Sequence, residues 1–384
     1  MSNQKSYHYT LMRGGTSKAF FFLWNELPAD PVERDKVILA IFGSPDPRQI
    51  DGMGGSWEGY SKIAIIGPPS IEDADIDYTF GQVQIKSNYV DWEFNCGNIS
   101  AAVGPYAINN GMVKVTEPIT TVRIHMTNSH QVLTAYVPVK DGKALIYGDY
   151  SIAGVPGTGA RIDVNNSAFA GSSTGKLLPT GNIIDYLEVD GLGTVECSFV
   201  DMMNPFVFVH ASTVGATGTE NRLEIESSDI INKCVAIRCA AAVKLGFVEK
   251  AEDATALSPS RPCLAFVAER TSYTDYATGE TIHEEDFDFL ARNIFNNTAH
   301  DTFMGTGSIC TTVASMIPGS VVYKVNTDIA KETGEVRFGH PRGIIAVEVT
   351  VEQDMDGNYI VTKANMGRTA RLLAEGLVYV RNDI

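Results

Sequence analysis

The sequence lacks the cysteine spacings and the long hydrophobic runs that mark several protein classes. None of its six cysteines stands in the C-x-x-C spacing of a zinc ribbon or a thioredoxin-type site. No apolar run is long enough for a membrane span, and the first residues lack the apolar segment of a signal peptide. We therefore expect a cytoplasmic protein whose thiols stay reduced.

Motifs of nucleotide-binding and hydrolytic enzymes are also missing. The stretch GSSTGKL is one residue short of a P-loop and lacks the hydroxyl residue after Lys176. No G-x-G-x-x-G opens a helix. No nucleophile elbow is predicted either, because the G-x-S-x-G match at 171–175 lies in a Gly/Ser/Pro-rich stretch and not between a strand and a helix. His340, in FGHPRG, has no second histidine or carboxylate at metal-ligand spacing.

Basic residues are scarce. The chain has 30 lysines and arginines against 46 acidic residues, which gives a net charge of -16. Such a chain repels nucleic acid and anionic membranes, so we expect neither as a partner. An anionic ligand would need a local concentration of hydrogen-bond donors.

Strand patterns outnumber helix patterns, which indicates an α+β fold with long antiparallel stretches. With 384 residues, two domains are expected. Helices are predicted from Asp30 to Gly43, over 227–246, and over 284–297. The last of these rests on apolar residues at helical spacing, namely Phe287, Leu290, Ala291, Ile294 and Phe295. The Gly/Ser/Pro-rich stretch 171–182 is a predicted domain boundary.

An internal repeat links two distant parts of the chain. CGNISAAVGPYAINNG begins at Cys96, and MGTGSICTTVASMIPG begins at Met304. In both, a sulfur residue precedes a glycine, and the last glycine lies fifteen positions after the sulfur residue. Ser100 and Ser308 occupy the same offset. The repeat predicts two similar domains, each with a buried apolar helix. The N-terminus of such a helix offers free N–H groups and the positive end of its dipole.

Two residues are candidates for proton transfer. Cys96 stands just before a predicted helix N-terminus, where a thiol ionises more readily and becomes a usable base or nucleophile. The alternative is an inert buried cysteine, which is our interpretation of most other cysteines. Lys62 opens the apolar strand SKIAII, where partial burial would favour a neutral, proton-accepting amine. Its alternative is a surface lysine at a strand end.

Two further features of the sequence are weaker indications of a functional site. Gly14, Gly15, Thr16 and Ser17 precede a strand, and their N–H and hydroxyl groups could hold a carboxylate. A simple hairpin turn explains the same stretch. His300 precedes the second helix of the repeat and is either a site residue or an ordinary loop histidine.

Six stretches in a fixed order resemble one family. RGGTSK, SKIAI, NCGNISAA, DMMNPFVFV, FGHPRG and GRTARLLAEG are similar to the 2-methylaconitate and 3-methylitaconate isomerases of the diaminopimelate epimerase-like superfamily. The likeness runs from residue 13 to residue 376. It implies two pseudo-symmetric domains, each with a curved, mostly antiparallel sheet around a central helix, and an active site between them. We place them at 1–182 and 183–371, with the tail 372–384 packed on the first.

The resemblance also implies roles for residues. The catalytic pair of the family falls on Lys62 and Cys96. Supporting or substrate-binding roles fall on Thr16, Ser17, Gly97, Asn98, His300, Gly305 and Thr306. Related amino-acid racemases carry a second cysteine where this chain has Met304, so a mechanism with two opposed thiols is excluded.

The expected reaction is a proton shift that interconverts 3-methylitaconate and 2,3-dimethylmaleate, without metal, flavin or pyridoxal phosphate. Cis–trans isomerisation of 2-methylaconitate is the alternative within the same family. A non-catalytic carboxylate-binding protein is the alternative of another class, because fold alone does not grant function. The expected partner is a small dicarboxylate; a homo-oligomeric state is left open.

Overall fold

A computed structural model describes residues 3–92, 96–152, 154–295 and 297–384. The chain forms two compact units: Met1–Asn165 with Gly367–Ile384, and Asn166–Met366. The change of unit at Asn165 lies seventeen residues before the predicted division after residue 182. No helix in the described ranges is both long and apolar enough to cross a membrane.

Helices and strands follow one another throughout both units. The helices are α1 (Pro31–Phe42), α2 (Gly97–Asn109), α3 (Ala211–Val214), α4 (Arg222–Glu226), α5 (Ile230–Lys244), α6 (Ala254–Leu257), α7 (Gly305–Ser315), α8 (Val321–Val325) and α9 (Asp328–Thr333). The strands are β1 (Gln4–Gly14), β2 (Ser17–Leu23), β3 (Lys62–Gly67), β4 (Ile76–Val83), β5 (Val90–Asp91), β6 (Ile119–Met126), β7 (Gln131–Lys140), β8 (Lys143–Ala144), β9 (Ile162–Asn165), β10 (Asp185–Val189), β11 (Gly193–Met202), β12 (Asn204–His210), β13 (Cys263–Glu269), β14 (Tyr273–Thr274), β15 (Thr281–Ile282), β16 (Phe289–Phe295), β17 (Thr298–Ala299), β18 (Glu335–His340), β19 (Gly343–Gln353), β20 (Tyr359–Arg368) and β21 (Ala370–Arg381).

The two units repeat the same order of strand pairings. In the first, β21 pairs antiparallel with β1, then β1–β2 is antiparallel, β2–β3 parallel, β3–β4 antiparallel, β4–β6 parallel, and β6–β7 and β7–β9 antiparallel. In the second, the same succession runs β10–β11, β11–β12, β12–β13, β13–β16, β16–β18, β18–β19 and β19–β20. Two units of equal topology confirm the predicted α+β class and the internal repeat.

Each unit encloses one apolar helix of the repeat. Residues Ile99–Ile108 of α2 and Gly307–Ser315 of α7 are buried. The two equivalent serines make the same hydrogen bond: Ser100 Oγ donates to Cys96 O at 2.8 Å, and Ser308 Oγ donates to Met304 O at 3.0 Å. Each hydroxyl thus has a hydrogen-bond acceptor inside its own helix. Because of this, burying it among apolar residues costs little free energy.

The first two helix predictions are confirmed. Helix α1 starts at Pro31 after Asp30, whose side chain accepts from Glu33 N, and it ends at Gly43 with φ +74°. This is the expected combination of N-cap, first-turn proline and left-handed C-cap. Helix α5 occupies Ile230–Lys244, inside the predicted range 227–246.

The third helix prediction is wrong, because the stretch 284–297 contains strand β16. This strand lies between β13 and β18, and Phe289–Ile294 are buried on both faces. A strand that is buried on both faces has no alternating pattern. The apolar residues of this stretch therefore also match helical spacing, and periodicity alone does not separate a strand from a helix here. They are Phe287, Leu290, Ala291, Ile294 and Phe295.

Candidate active site

Cys96 is the N-cap residue of α2. Its backbone is extended, with φ −119° and ψ 99°, and its thiol makes no capping hydrogen bond. The side chain is partly exposed, whereas the other five cysteines are buried. In the same repeat, Cys310 lies inside α7, where burial raises the pKa of its thiol well above the ordinary value. Cys96 therefore differs from Cys310 in both exposure and position at the positive end of a helix.

The N-terminus of α2 is open at Gly97. A methyl group built on Gly97 would meet no atom of the described residues within 4 Å. The N–H groups of the first helical turn have no acceptor within the helix. An anionic group therefore has space to approach them, as in other helix N-terminal anion sites.

The hairpin between β1 and β2 packs directly against this helix end. A Cβ on Gly14 would lie 2.4 Å from Asn98 O, so only glycine fits there. Asn98 Nδ2 donates to Thr16 Oγ1 at 3.0 Å. Ser17, which is 5% exposed, opens β2 and pairs with Gly14. The structure thus brings Thr16, Asn98 and the α2 N-terminus together.

Arginine side chains border the same region. Arg13 Nη1 donates to Gly15 O at 2.8 Å and to Thr369 O at 2.9 Å, which fixes the hairpin to the residue before β21. Burial lowers the pKa of Arg368 to about 10, while Tyr150 and Cys96 act in the opposite direction. Arg368 is therefore charged at neutral pH and lies within electrostatic range of Cys96. Neither arginine was identified as a site residue from the sequence.

Lys62 opens β3 and is held by two residues of β4. Its Nζ donates to Gln82 Oε1 at 2.5 Å and lies 5.2 Å from the ring centroid of Phe80. Within the described residues no carboxylate forms an ion pair with this amine. Lys62 is half-buried, so it is neither a freely solvated surface lysine nor a fully enclosed one.

One face of β4 carries neighbours of both candidate residues. Tyr78, Phe80 and Gln82 alternate along the strand and therefore share a face. Phe80 and Gln82 contact Lys62. Burial first, and then the nearby Cys96, raise the pKa of Tyr78 well above its ordinary value. The common face supports a position of Lys62 and Cys96 on the same side of this unit.

Asn128, in the turn between β6 and β7, connects β4 with the segment that leads toward α2. Its Oδ1 accepts from Phe80 N at 2.8 Å, and its Nδ2 donates to Phe80 O at 2.9 Å and to Trp92 O at 2.5 Å. One side-chain amide therefore fixes the strand beside Lys62 and a residue four positions before Cys96. Residues 93–95 lie outside the described ranges.

The second unit repeats part of this arrangement. Asn204 Nδ2 donates to Thr306 Oγ1 at 2.8 Å, just as Asn98 contacts Thr16 in the first unit. Met304 is the N-cap residue of α7, and Gly305 is its first helical residue. The predicted residues Gly305 and Thr306 thus lie at a second helix N-terminus beside a hairpin turn.

His300 is partly buried in the same unit and lies near a second histidine. Its Nδ1 accepts from Thr302 N at 3.1 Å. Burial lowers the pKa of His300. Burial, Arg292 and His300 together lower the pKa of His340 to about 3. Both imidazoles are therefore neutral at pH 7, and His340, rejected as a metal ligand in the sequence, belongs to the surroundings of His300.

The residues that sequence reasoning missed are Gln82, Asn128, Tyr78, Arg13, Asn204 and Arg368. The last three lie within the stretches RGGTSK, DMMNPFVFV and GRTARLLAEG, in that order. Gln82 and Asn128 lie outside them, in a strand and a turn of ordinary composition. Nothing in their local sequence indicates the contacts that they make.

Relatives of known sequence and structure match the chain over its length. A 3-methylitaconate isomerase of Eubacterium barkeri is 47% identical over 381 residues, which are 99% of this chain and 98% of that protein. A 2-methyl-aconitate isomerase of Shewanella oneidensis is 38% identical over 385 residues, with 97% and 96% covered.

Two solved structures give the corresponding comparison of folds. The crystal structure of a methylitaconate-delta-isomerase has a TM-score of 0.94 at 46% identity and covers 100% of this chain and 97% of its own. A hydroxyproline epimerase from Agrobacterium vitis has a TM-score of 0.53 at 11% identity, with 98% and 93% covered. The second likeness concerns the fold alone, and it confirms the predicted epimerase-like architecture. The sequence profile described as PrpF protein matches residues 4–381, so the chain belongs to the PrpF protein family.

Proposed function

We propose that this protein is a cofactor-independent isomerase that interconverts 3-methylitaconate and 2,3-dimethylmaleate by moving one proton. The observation that carries the proposal is that one face of β4 has neighbours of both candidate residues. Tyr78 is near Cys96, which lies at an open helix N-terminus, and Gln82 contacts Lys62. The 47% identity to a 3-methylitaconate isomerase over almost the whole chain supports this substrate.

The reaction removes the proton from C3 and adds a proton to the terminal methylene carbon. The C–H bond at C3 breaks, the double bond shifts to C2–C3, and the methylene becomes a methyl group. The intermediate dienolate carries its charge through the alkene into a carboxylate, so the enzyme must stabilise negative charge there. Removal and delivery at different carbons do not require two opposed thiols, which fits the methionine at position 304.

We assign the base to Lys62 and the proton donor to Cys96. A neutral amine takes the C3 proton, and the thiol gives its proton to the methylene carbon. The resulting thiolate is stabilised by the α2 N-terminus and by Arg368. Exchange with solvent then returns the ammonium and the thiolate to their starting forms. This cycle places one solvent-derived hydrogen in the new methyl group.

The substrate carboxylates need donors. The first-turn N–H groups of α2, with Thr16 and Asn98 beside them, form one donor set. The first turn of α7, with Thr306 and Asn204, is built in the same way within the second unit. We propose that the α2 set takes one carboxylate of the substrate.

Cis–trans isomerisation of 2-methylaconitate is the second candidate, supported by the 38% identical relative named 2-methyl-aconitate isomerase. That substrate has a third carboxylate and needs a further cation or donor set.

We also propose a cytoplasmic location, which the unpaired state of all six cysteines supports.

The test is a proton NMR assay in deuterated buffer with 3-methylitaconate, 2-methylaconitate and diaminopimelate as separate substrates. The proposal expects turnover of 3-methylitaconate with deuterium in the new methyl group. Cys96→Ser should lower kcat at least 100-fold, roughly the contribution of a positioned proton donor, and leave the fold intact. Cys310→Ser is the matched control, because this buried thiol donates to Val200 O at 3.4 Å and serine can do the same. Equal losses at both positions would refute the role of Cys96.

Lys62 is tested by two substitutions. Arginine keeps the positive charge but does not act as a base near neutral pH. If Lys62 is the base, Lys62→Arg and Lys62→Ala should both abolish most of kcat and most exchange of the C3 proton. A Lys62→Arg variant with near-normal kcat and a raised KM would show that Lys62 only binds a carboxylate.

A further inference from the structure

Gln82 has an amide whose orientation is fixed by the backbone around it. Its Nε2 donates to Ser61 O at 2.9 Å and to Glu58 O at 3.1 Å. A flipped amide would place its oxygen against these two carbonyl oxygens, which are acceptors as well. The two bonds therefore hold Oε1 toward the opposite side, where it accepts from Lys62 Nζ at 2.5 Å.

Lys62 is consequently held from two directions. Gln82 is its direct cross-strand partner in the β3–β4 register. Phe80, two residues earlier and 2% exposed, contributes an apolar wall 5.2 Å from the amine. A long lysine side chain otherwise has four rotatable bonds. One hydrogen bond with a fixed acceptor and one apolar wall restrict it to a small set of conformations.

The chemical type of the acceptor matters for a base. A carboxylate at this distance would favour the ammonium form through its opposite charge. A neutral amide oxygen accepts a hydrogen bond from an amine as well as from an ammonium, and leaves the lone pair of the amine directed elsewhere. The neutrality of Gln82 is thus compatible with a lysine that must give up and take up a proton in each cycle.

We propose that Gln82 is a positioning residue for proton transfer: its amide, locked by the carbonyls of Glu58 and Ser61, aims the Lys62 amine at the substrate carbon. This inference rests on the proposed function and deepens it. Gln82 does not contact the reacting atoms itself. Its contribution depends entirely on the presence of the amine at position 62.

The experiment is a double-mutant cycle with Gln82→Met and Lys62→Ala, measured by kcat, KM and C3 exchange. Methionine keeps the length of the side chain and removes the acceptor. Misplacing a catalytic group by about 1 Å costs roughly 100-fold, so we expect Gln82→Met to lower kcat by about 10- to 100-fold and to change KM less than about threefold. In the Lys62→Ala background, read in long incubations at high enzyme concentration, Gln82→Met should lower the residual rate no further.

A deuterium isotope effect at C3 gives a second readout. A mispositioned amine slows the proton-transfer step itself, so the isotope effect on kcat should persist or increase in Gln82→Met. Gln84→Met is the matched control, because this nearby glutamine makes no side-chain hydrogen bond among the described residues and should keep full activity.

Three outcomes would overturn the inference. These are normal kcat in Gln82→Met, an equal fold-loss in both backgrounds of the cycle, or a smaller isotope effect together with the loss of kcat. An equal loss in both backgrounds would indicate a purely structural role. Failure of the proposed function is recognised separately, because the wild-type protein would then not turn over 3-methylitaconate. Failure of the base assignment alone would appear as normal turnover in Lys62→Ala.

Discussion

His340 should make the protein lose stability as the pH falls. The imidazole is 1% exposed, and burial, Arg292 and His300 lower its pKa to about 3. In the unfolded chain the same group binds its proton near the ordinary pKa of about 6.5. Between these values the unfolded state holds up to one more proton than the folded state, so the free energy of unfolding decreases by up to about 1.4 kcal/mol per pH unit. Between pH 6 and pH 4 this amounts to about 2.5 kcal/mol, a large part of a typical stability of about 5–15 kcal/mol.

The perturbation that isolates this contribution is His340→Asn. The asparagine oxygen can replace Nδ1 as the acceptor for Arg342 N, which is 3.3 Å away, and it does not titrate. Urea unfolding at pH 7, 6 and 5 should show a smaller pH dependence in the variant, by about 1 kcal/mol per pH unit. Circular dichroism is the suitable probe, because all three tryptophans belong to the other unit. His283→Asn, at an exposed position, is the control; equal pH dependence in wild type and His340→Asn would refute the reasoning.

Two further substitutions test the first unit. Asn128→Ala removes three hydrogen bonds to backbone groups, so urea unfolding followed by tryptophan fluorescence should show a loss of about 2–3 kcal/mol together with a lower kcat. Asn110→Ala, which removes one bond to Tyr106 O, should cost about 1 kcal/mol, and equal losses would contradict the role of Asn128. Gly97→Ala should leave the unfolding midpoint nearly unchanged, since its Cβ has free space, yet raise KM by obstructing the α2 N-terminus; an unchanged KM would show that the substrate does not bind there.

Local signals were enough to predict the elements that carry their own boundaries. Helix α1 is marked at both ends by Asp30, Pro31 and Gly43, and each of these residues acts within one turn of its position. Strand β16 has no such marks. Its identity depends on β13 and β18, which pair with it from elsewhere in the chain, and single-sequence periodicity does not contain that information.

The candidate site divides in the same way. The position of Cys96 before a buried helix and that of Lys62 at the start of an apolar strand were predictable from the residues that follow them. Gln82 and Asn128 became visible only in the fold. Gln82 reaches Lys62 across 20 residues of sequence, and Asn128 reaches Phe80 across 48. Such contacts depend on strand register, because a shift of one residue would move every side chain of the strand to the opposite face of the sheet.

The two units share the order of strand pairing, a buried helix, a serine bonded to the N-cap carbonyl and an amide–hydroxyl contact at the hairpin. In each unit these shared features build a set of hydrogen-bond donors at a helix N-terminus, where an anion is favoured. The groups proposed to transfer protons are not shared: Cys96 and Lys62 belong to the first unit, and Met304 holds the place of Cys96 in the second. Under the proposed function, proton transfer therefore depends on a feature in which the repeats differ. A proton shift between two carbons is compatible with this asymmetry, because its two ends are chemically different.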